Sequence, residues 1–225
     1  MTGAGISAES GLKTFRDAGG LWEGHDVMAV ASPEGFARNP DLVLRFYNER
    51  RAQAQLAQPN AAHLALVRLE EKYHVDIITQ NVDDLHERAG SSHIVHLHGE
   101  LNKARSVMDE YNILEIRGDI HLGDMGPDGY QLRPHIVWFG EPVPEIARAA
   151  ELMTRADVVL IIGTSMAVYP AAGLIDYAPK RAHVYVIDPK KPPVDVFSNQ
   201  IEFIVQPATT GVSYVVDLLL SEAGA

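Results

Sequence analysis

His98, followed by Gly99 and preceded two residues earlier by His96, closes the run Ile94-Val-His-Leu-His98, which reads as a strand. A period of two places both imidazoles on one face. An unperturbed imidazole titrates near ~6.5, so His98 is a candidate general base. A core histidine with its hydrogen bonds satisfied is the competing reading. A metal pair ranks last, because no third ligand stands at a recognisable spacing. Two further polar tips close apolar runs: Gln80-Asn81-Val82-Asp83-Asp84 follows Val75-Asp-Ile-Ile-Thr79, and Gly163-Thr164-Ser165 follows Val158-Val-Leu-Ile-Ile162.

Tyr47 and Arg50 lie one turn apart in a helix signalled by Asn39-Pro40-Asp41, with a capping side chain, proline at the first position and a carboxylate in the first turn. The apolar face of that helix is Val43, Phe46, Tyr47 and Ala54, and Arg50 falls on the same stripe. A buried arginine either pairs with a structural carboxylate or awaits an anionic ligand, and a hydroxyl beside a guanidinium suits a carboxylate. Gly3-Ala4-Gly5-Ile6-Ser7-Ala8 matches the pattern whose glycines permit a tight turn and close approach to pyrophosphate. Its usual companion, an acidic strand end about 20 residues on, is missing, since Glu23 falls in a loop. Asp188, after Val184-Tyr-Val-Ile187, could accept hydrogen bonds from ribose hydroxyls or form an Asx turn before Pro189.

The elements that would position these groups alternate. Residues 12–38 read as a long loop. The helix to about Ala57 is followed by a second from Asn60, with Ala62, Ala65, Leu66, Leu69 and Tyr73 on one face. Strands follow at 75–79, 94–100, 136–139, 158–162 and 184–187, with helices through Ile146 to Met153 and Val212 to Leu220. Apolar strands alternating with helices predict an α/β fold, a Rossmann-like doubly wound parallel sheet that binds ligands beyond the strands' carboxyl ends. Residues 102–133, charged and glycine-rich with a hairpin-like pattern at 113–122, form a small insertion.

Of 225 residues, 46% are hydrophobic and 22% charged, enough apolar matter for a packed core. A net charge of −11 disfavours nucleic acid and anionic membranes as partners. No apolar run reaches the ~18 residues of a membrane span and no signal pattern opens the chain, so a cytoplasmic location is expected. The absence of cysteine excludes disulfides, thiolate zinc sites and cysteine nucleophiles.

Six motifs in order, Gly3 to Gly11, Thr14-Phe15-Arg16, Thr79 to Asp83, His96 to Leu101, Val137-Trp138-Phe139-Gly140-Glu141 and Gly163 to Ser165, closely resemble the sirtuin family of NAD-dependent protein lysine deacylases over nearly the whole chain. Tyr47 and Arg50 resemble the class III branch, whose members remove succinyl and malonyl as well as acetyl groups, and Ala31 falls where that branch keeps a small residue. The resemblance implies a single catalytic domain over 1–225. Residues 1–30, 75–101 and 134–225 would form the NAD-binding part, 31–74 the helical acyl pocket, and 102–133 the small module.

It further implies that Gly3, Ala4, Gly5, Ile6, Ser7, Glu9, Thr14, Phe15, Arg16 and Trp22 hold NAD, with Gly163, Thr164, Ser165, Asp188 and Ala208 as further contacts. Gln80, Asn81, Val82 and Asp83 would orient the nicotinamide ribose and carboxamide. His98, Asn81 and Asp83 would be catalytic, with His98 activating a ribose hydroxyl. Ala31, Tyr47, Arg50 and Val137 to Glu141 would bind the acyl-lysine peptide, the last segment as an added strand. A non-catalytic NAD or ADP-ribose binding module, an NAD glycohydrolase and an ADP-ribosyltransferase are the competing functions. Nothing in the sequence fixes an oligomeric state.

Three departures from the family pattern carry expectations. Residues 102–133 hold none of the four zinc-binding cysteines, with Ser106 near the place of the first, so no zinc is expected. The strand that normally precedes the glycine loop is not present ahead of Gly3, which predicts a missing central strand. Asp188 stands where the family usually carries Asn, and Asp cannot donate.

Overall fold

The computed structural model describes residues 1–13, 21–190 and 200–223. A parallel sheet forms its centre, with β3 (Ile77–Thr79) beside β4 (Ile94–His96), and β8 (Val158–Ile162), β9 (His183–Ile187) and β10 (Gln200–Ile204) in order on the other side. β8 and β9 alternate strictly. Ile162, Tyr185 and Ile187 pack on one face with α5 (Ala61–Leu69) and α8 (Ala208–Glu222), while Val159, Ile161, Val184 and Val186 pack on the other with α7 (Ile146–Thr154) and the 3-10 helix Ala171–Tyr177. Each such burial contributes about 2 kcal/mol, which fixes the register of strands that have no solvent face.

The gap between β3 and β8 is the expected site of a missing strand, and among the described residues no strand stands there, only an isolated bridge at one residue. Thr2 bridges Thr79 and Ile162 in parallel. Its N–H donates to Ile78 O at 2.9 Å, its carbonyl accepts from Gln80 N at 3.0 Å, and Gly3 N donates to Ile162 O at 3.0 Å. Thr2 and Gly3 thus link the ends of β3 and β8 by three backbone hydrogen bonds where a central strand would make a longer ladder.

Residues 21–38, within the predicted loop of 12–38, are more regular than expected. A short hairpin of β1 (Leu21–Trp22) and β2 (His25–Asp26) leads into α2 (Val27–Val30), capped by Asp26, and α3 (Pro33–Arg38), capped by Ser32 with Pro33 at its start. These helices are too short to show an apolar period. They pack Val27, Val30 and Ala31 against α4 (Pro40–Leu56) instead of against the parallel sheet.

Residues 94–100 do not form one strand. β4 ends at His96, and after a turn at Leu97 and His98 the chain enters an antiparallel sheet as β5 (Gly99–Ser106). Gly99, at φ 79°, makes the switch, and a Cβ there would lie 2.0 Å from His135 O. β5 pairs with β6 (Ile113–Glu115) and β7 (Leu132–Ile136), so the small sheet extends beyond both ends of 102–133. The predicted hairpin at 113–122 is not formed, since β6 pairs with β5. Strand 136–139 is likewise cut to Ile136, because Trp138 turns inward and Gly140, at φ 91°, reverses the chain. No helix among the described residues is long and apolar enough to cross a membrane.

Polar clasps hold the small sheet. Asn48, buried on α4, donates to Ile120 O at 2.9 Å and accepts from Ile120 N at 3.0 Å. Asp109, Asp124 and Asp128 each accept backbone N–H groups from their own loops, and Ser106 accepts from Met108 N. Leu44, Ala104 and Ile120 form its small core. Asx turns at Asp109 and Asp128 thus help to close these loops.

Candidate functional site

A cleft of about 520 Å³ opens beyond the carboxyl ends of β3, β8 and β9 and runs between α4 and the 137–141 segment. It is lined by all of the described residues expected to bind cofactor or substrate or to act in catalysis except Ile6, whose side chain is fully buried in the core between sheet and helices. Ile6 therefore anchors the glycine loop and does not face the cleft. Thr14, Phe15 and Arg16 lie outside the described residues.

The glycine loop opens α1 (Ala4–Ala8), with Gly3 as N-cap. Its glycines answer to backbone packing: Gly5 N donates to Gly163 O at 2.8 Å, and a Cβ on Gly5 would lie 2.6 Å from Gly163 Cα. Gly163 itself has φ 60°. Glu9 carries a role that its place in the motif does not announce. Its carboxylate accepts from Thr209 N at 2.9 Å and Thr209 Oγ at 2.7 Å, capping α8 and tying α1 to it.

At the tip of β3, Asn81 Nδ2 donates to Ser7 Oγ at 3.1 Å and Gly3 O at 3.2 Å, and Gln80 Nε2 reaches Thr164 Oγ1 at 3.1 Å. These bonds join the tips of β3 and β8 to the start of α1. Asp83 is buried, and burial pushes its carboxyl up despite hydrogen bonds from Leu85 N and Ser7. His98 Nδ1 lies 3.1 Å from Gln80 O, and a carbonyl only accepts, so the proton is on Nδ1 and Nε2 keeps its lone pair. Burial lowers its pKa below 6.5, which keeps the ring neutral at pH 7.

His96 is separated from His98 by the sheet switch and serves differently. Its Nδ1 contacts Asn81 O at 3.0 Å and its Nε2 contacts Glu87 at 2.7 Å. Burial opposes its protonation, but the Glu87 carboxylate prevails and raises its pKa. Glu87, His96 and Glu100 stand close enough for a metal, yet Lys103 Nζ is 2.6 Å from Glu100, so the group reads as a charge network.

The acyl end holds Ala31, Tyr47 and Arg50. Tyr47 is fully buried, which raises its phenol pKa far above 10, and its oxygen accepts from Trp138 Nε1 at 3.0 Å. Arg50 is 9% exposed, with its guanidinium 4.6 Å from the Phe46 ring centre. One nitrogen reaches Glu49 at 3.4 Å, whereas Nε and Nη1 are buried and without partners. Leaving such donors unpaired costs roughly 1–3 kcal/mol each, which an anionic ligand would recover. Trp22 stands over both aromatic rings, 5.0 Å from Phe46 and 6.2 Å from Tyr47.

Val137 N donates to His98 O and Phe139 N to Ala31 O, both at 2.9 Å, which places this segment along the cleft. Glu141 faces inward: its carboxylate accepts from Arg133 at 2.6 and 3.0 Å and from Trp138 N at 2.8 Å, and burial is outweighed by these donors, so its pKa is lowered. Asp188, 3% exposed at the tip of β9, accepts from Lys190 N at 2.9 Å, so the Asx turn forms while the residue lines the cleft. Ala208 lines its far side. Gln53 also lines the cleft and Arg133 braces Glu141 from outside it, and neither carries a sequence pattern that marks it.

A model of the Sir2 family matches residues 3–170. The chain is 54% identical over 227 residues to an NAD-dependent protein deacylase of Bacteroides thetaiotaomicron, covering 98% of this chain and 96% of that one. Among solved structures it is similar to a Sir2 homologue in complex with NAD, with TM-score 0.86, 36% identity, and coverage of 99% and 88%. It is also similar to a Sir2 protein bound to a propionylated peptide, with TM-score 0.78, 28% identity, and coverage of 99% and 91%.

Proposed function

The chain belongs to the Sir2 family, and from that premise we propose that it is an NAD-dependent protein lysine deacylase whose pocket favours acyl groups ending in a carboxylate. NAD supplies ADP-ribose as the acyl acceptor and nicotinamide as the leaving group. The cleft suits such a ligand in size, and its polar end offers the glycine-capped start of α1, Gln80, Asn81, Ser165 and Asp188.

In this reading His98 Nε2 takes the proton of a ribose hydroxyl, its lone pair kept available by the Nδ1–H bond to Gln80 O. Asn81 is held by Ser7 and Gly3, so its carboxamide is preset before any ligand arrives. The parallel sheet would carry NAD, helices α2 to α4 the acyl pocket, and the small sheet the substrate segment Val137 to Glu141. An extended acyl-lysine peptide pairing with that segment is supported by the likeness to a Sir2 protein bound to a propionylated peptide. The net charge of −11 supports a function without nucleic acid or anionic membrane as partners.

The single observation that carries the acyl preference is Arg50, with two buried, unpartnered nitrogens in the cleft wall. Turnover of matched acetyl-lysine and succinyl-lysine peptides with NAD, followed by mass spectrometry, tests it. Succinyl-ADP-ribose formed at the higher kcat/KM is the expected product. Acetyl turnover equal to or faster than succinyl turnover would reject the preference, and NAD binding without any turnover would reject the deacylase.

A further inference from the structure

Trp138 is buried to 2% exposure, and nearly every part of it is held. Its ring lies 3.4 Å beneath the Arg133 guanidinium and 5.3 Å from Phe36, and its backbone N–H donates to Glu141 at 2.8 Å. Arg133 is itself pinned by Glu141 and by Ile136 O at 2.8 Å. The indole N–H of this clamped ring points at Tyr47 oxygen, 3.0 Å away.

A phenol can accept or donate, but an indole can only donate. With Trp138 donating to the phenol oxygen, the Tyr47 proton must be directed to another acceptor. Arg50 beside it offers donors alone, and burial keeps Tyr47 protonated. We propose that Trp138 is a positioning residue that turns Tyr47 into a committed hydrogen-bond donor, so that the acyl end of the cleft presents donors only and selects acyl chains ending in an anionic acceptor group. The inference rests on the acyl preference proposed above and adds the device that sets it. A neutral acyl chain brings no terminal acceptor to these groups, and one ending in a donor is repelled.

The test is Trp138→Phe, which keeps the aromatic ring and removes the N–H, assayed beside Tyr47→Phe and the double variant on succinyl and acetyl peptides. Trp138→Phe is expected to raise the succinyl KM about tenfold, as for loss of one charge-assisted bond, with a much smaller change in kcat. The succinyl-to-acetyl ratio of kcat/KM should fall at least fivefold, and the double variant should lose no more than Tyr47→Phe alone. Equal losses on both peptides, a loss confined to kcat, or additive losses in the double variant would each overturn the role of Trp138. Native melting behaviour and NAD binding identify folded protein. Should Trp138→Phe fail to fold, Arg133→Lys, which loosens the clamp and leaves the indole in place, must produce the same KM shift in a smaller amount, or the inference falls. A wild-type protein with no succinyl preference removes the acyl reading itself, whereas a wild-type preference untouched by Trp138→Phe removes only this inference.

Discussion

His98 Nδ1 and Gln80 O stand 3.1 Å apart, and that contact fixes which nitrogen of the ring is free. Burial lowers the His98 pKa below 6.5, so the neutral, proton-accepting form is complete at neutral pH. kcat/KM is therefore expected to be flat near pH 7 and to decline as pH falls through a value below 6.5. A profile with its acid limb at or above pH 7 would contradict the neutral-base role. His98→Ala should lower kcat by at least about a hundredfold while leaving NAD binding measurable.

Arg50→Met removes the two unpartnered donors and keeps the apolar stem. Succinyl kcat/KM should drop by about a hundredfold, consistent with loss of a charge-assisted pair, with acetyl kcat/KM changed by less than about threefold. Steady-state kinetics on the two peptides decides it, and parallel losses would assign Arg50 a packing role.

His63 and His86 form a buried pair with ring centres 4.9 Å apart, 0% and 1% exposed, beneath the glycine loop. Burial lowers both pKa values, that of His63 to about 4. A depressed folded-state pKa means that the stabilisation is complete above about pH 6.5 and is lost as pH falls toward 4. The melting temperature should fall steeply across that window, and His86→Gln should flatten the fall. An unchanged slope in the variant would exclude the pair as its source.

Gly163→Ala would force a Cβ to 2.5 Å from Ile6 N at a residue with φ 60°. Destabilisation by about 3 kcal/mol or more is expected from overpacking and left-handed strain together. Gly118→Ala, where nothing lies within 4 Å, should be nearly neutral and serves as the control in chemical denaturation.

Asn48→Ala would strip three hydrogen bonds from buried groups, two to Ile120 and one from Arg51 at 2.8 Å. A loss of about 3 kcal/mol is expected. Chelator should leave the wild-type melting temperature unchanged, because side-chain clasps close these loops. A chelator-dependent melt would show that a metal contributes.

The parallel sheet was legible because its strands are largely apolar and end in polar tips, so His98 and the cluster Gln80 to Asp84 stood out from the pattern, while the catalytic roles of Asn81 and Asp83 came from the resemblance to the family. The capping signal at Asn39-Pro40 placed α4, and its stripe exposed Arg50 as an anomaly. Ser32-Pro33 carried the same signal for α3 but stood among glycines without a period, so the segment read as a loop. β10 was overlooked because Gln200-Ile-Glu-Phe-Ile204 mixes polar and apolar residues where the other strands are uniformly apolar. The split at His98 depends on a positive φ at Gly99, and the inward aim of Trp138 depends on Arg133 on the preceding strand β7 and Glu141 in the turn that follows. Neither the backbone angle nor the ring's orientation shows as hydrophobic periodicity.

The clasp between Glu9 and Thr209 spans 200 positions of chain. A ribosome making this protein releases the glycine loop some 200 residues before α8, so α1 waits through that stretch of synthesis for the helix that its glutamate caps. Contacts of such separation form slowly and late. A nascent chain short of α8 would display Asn81 and His98 yet lack the carboxylate bridge that anchors the loop, and competence for turnover would arrive only with α8.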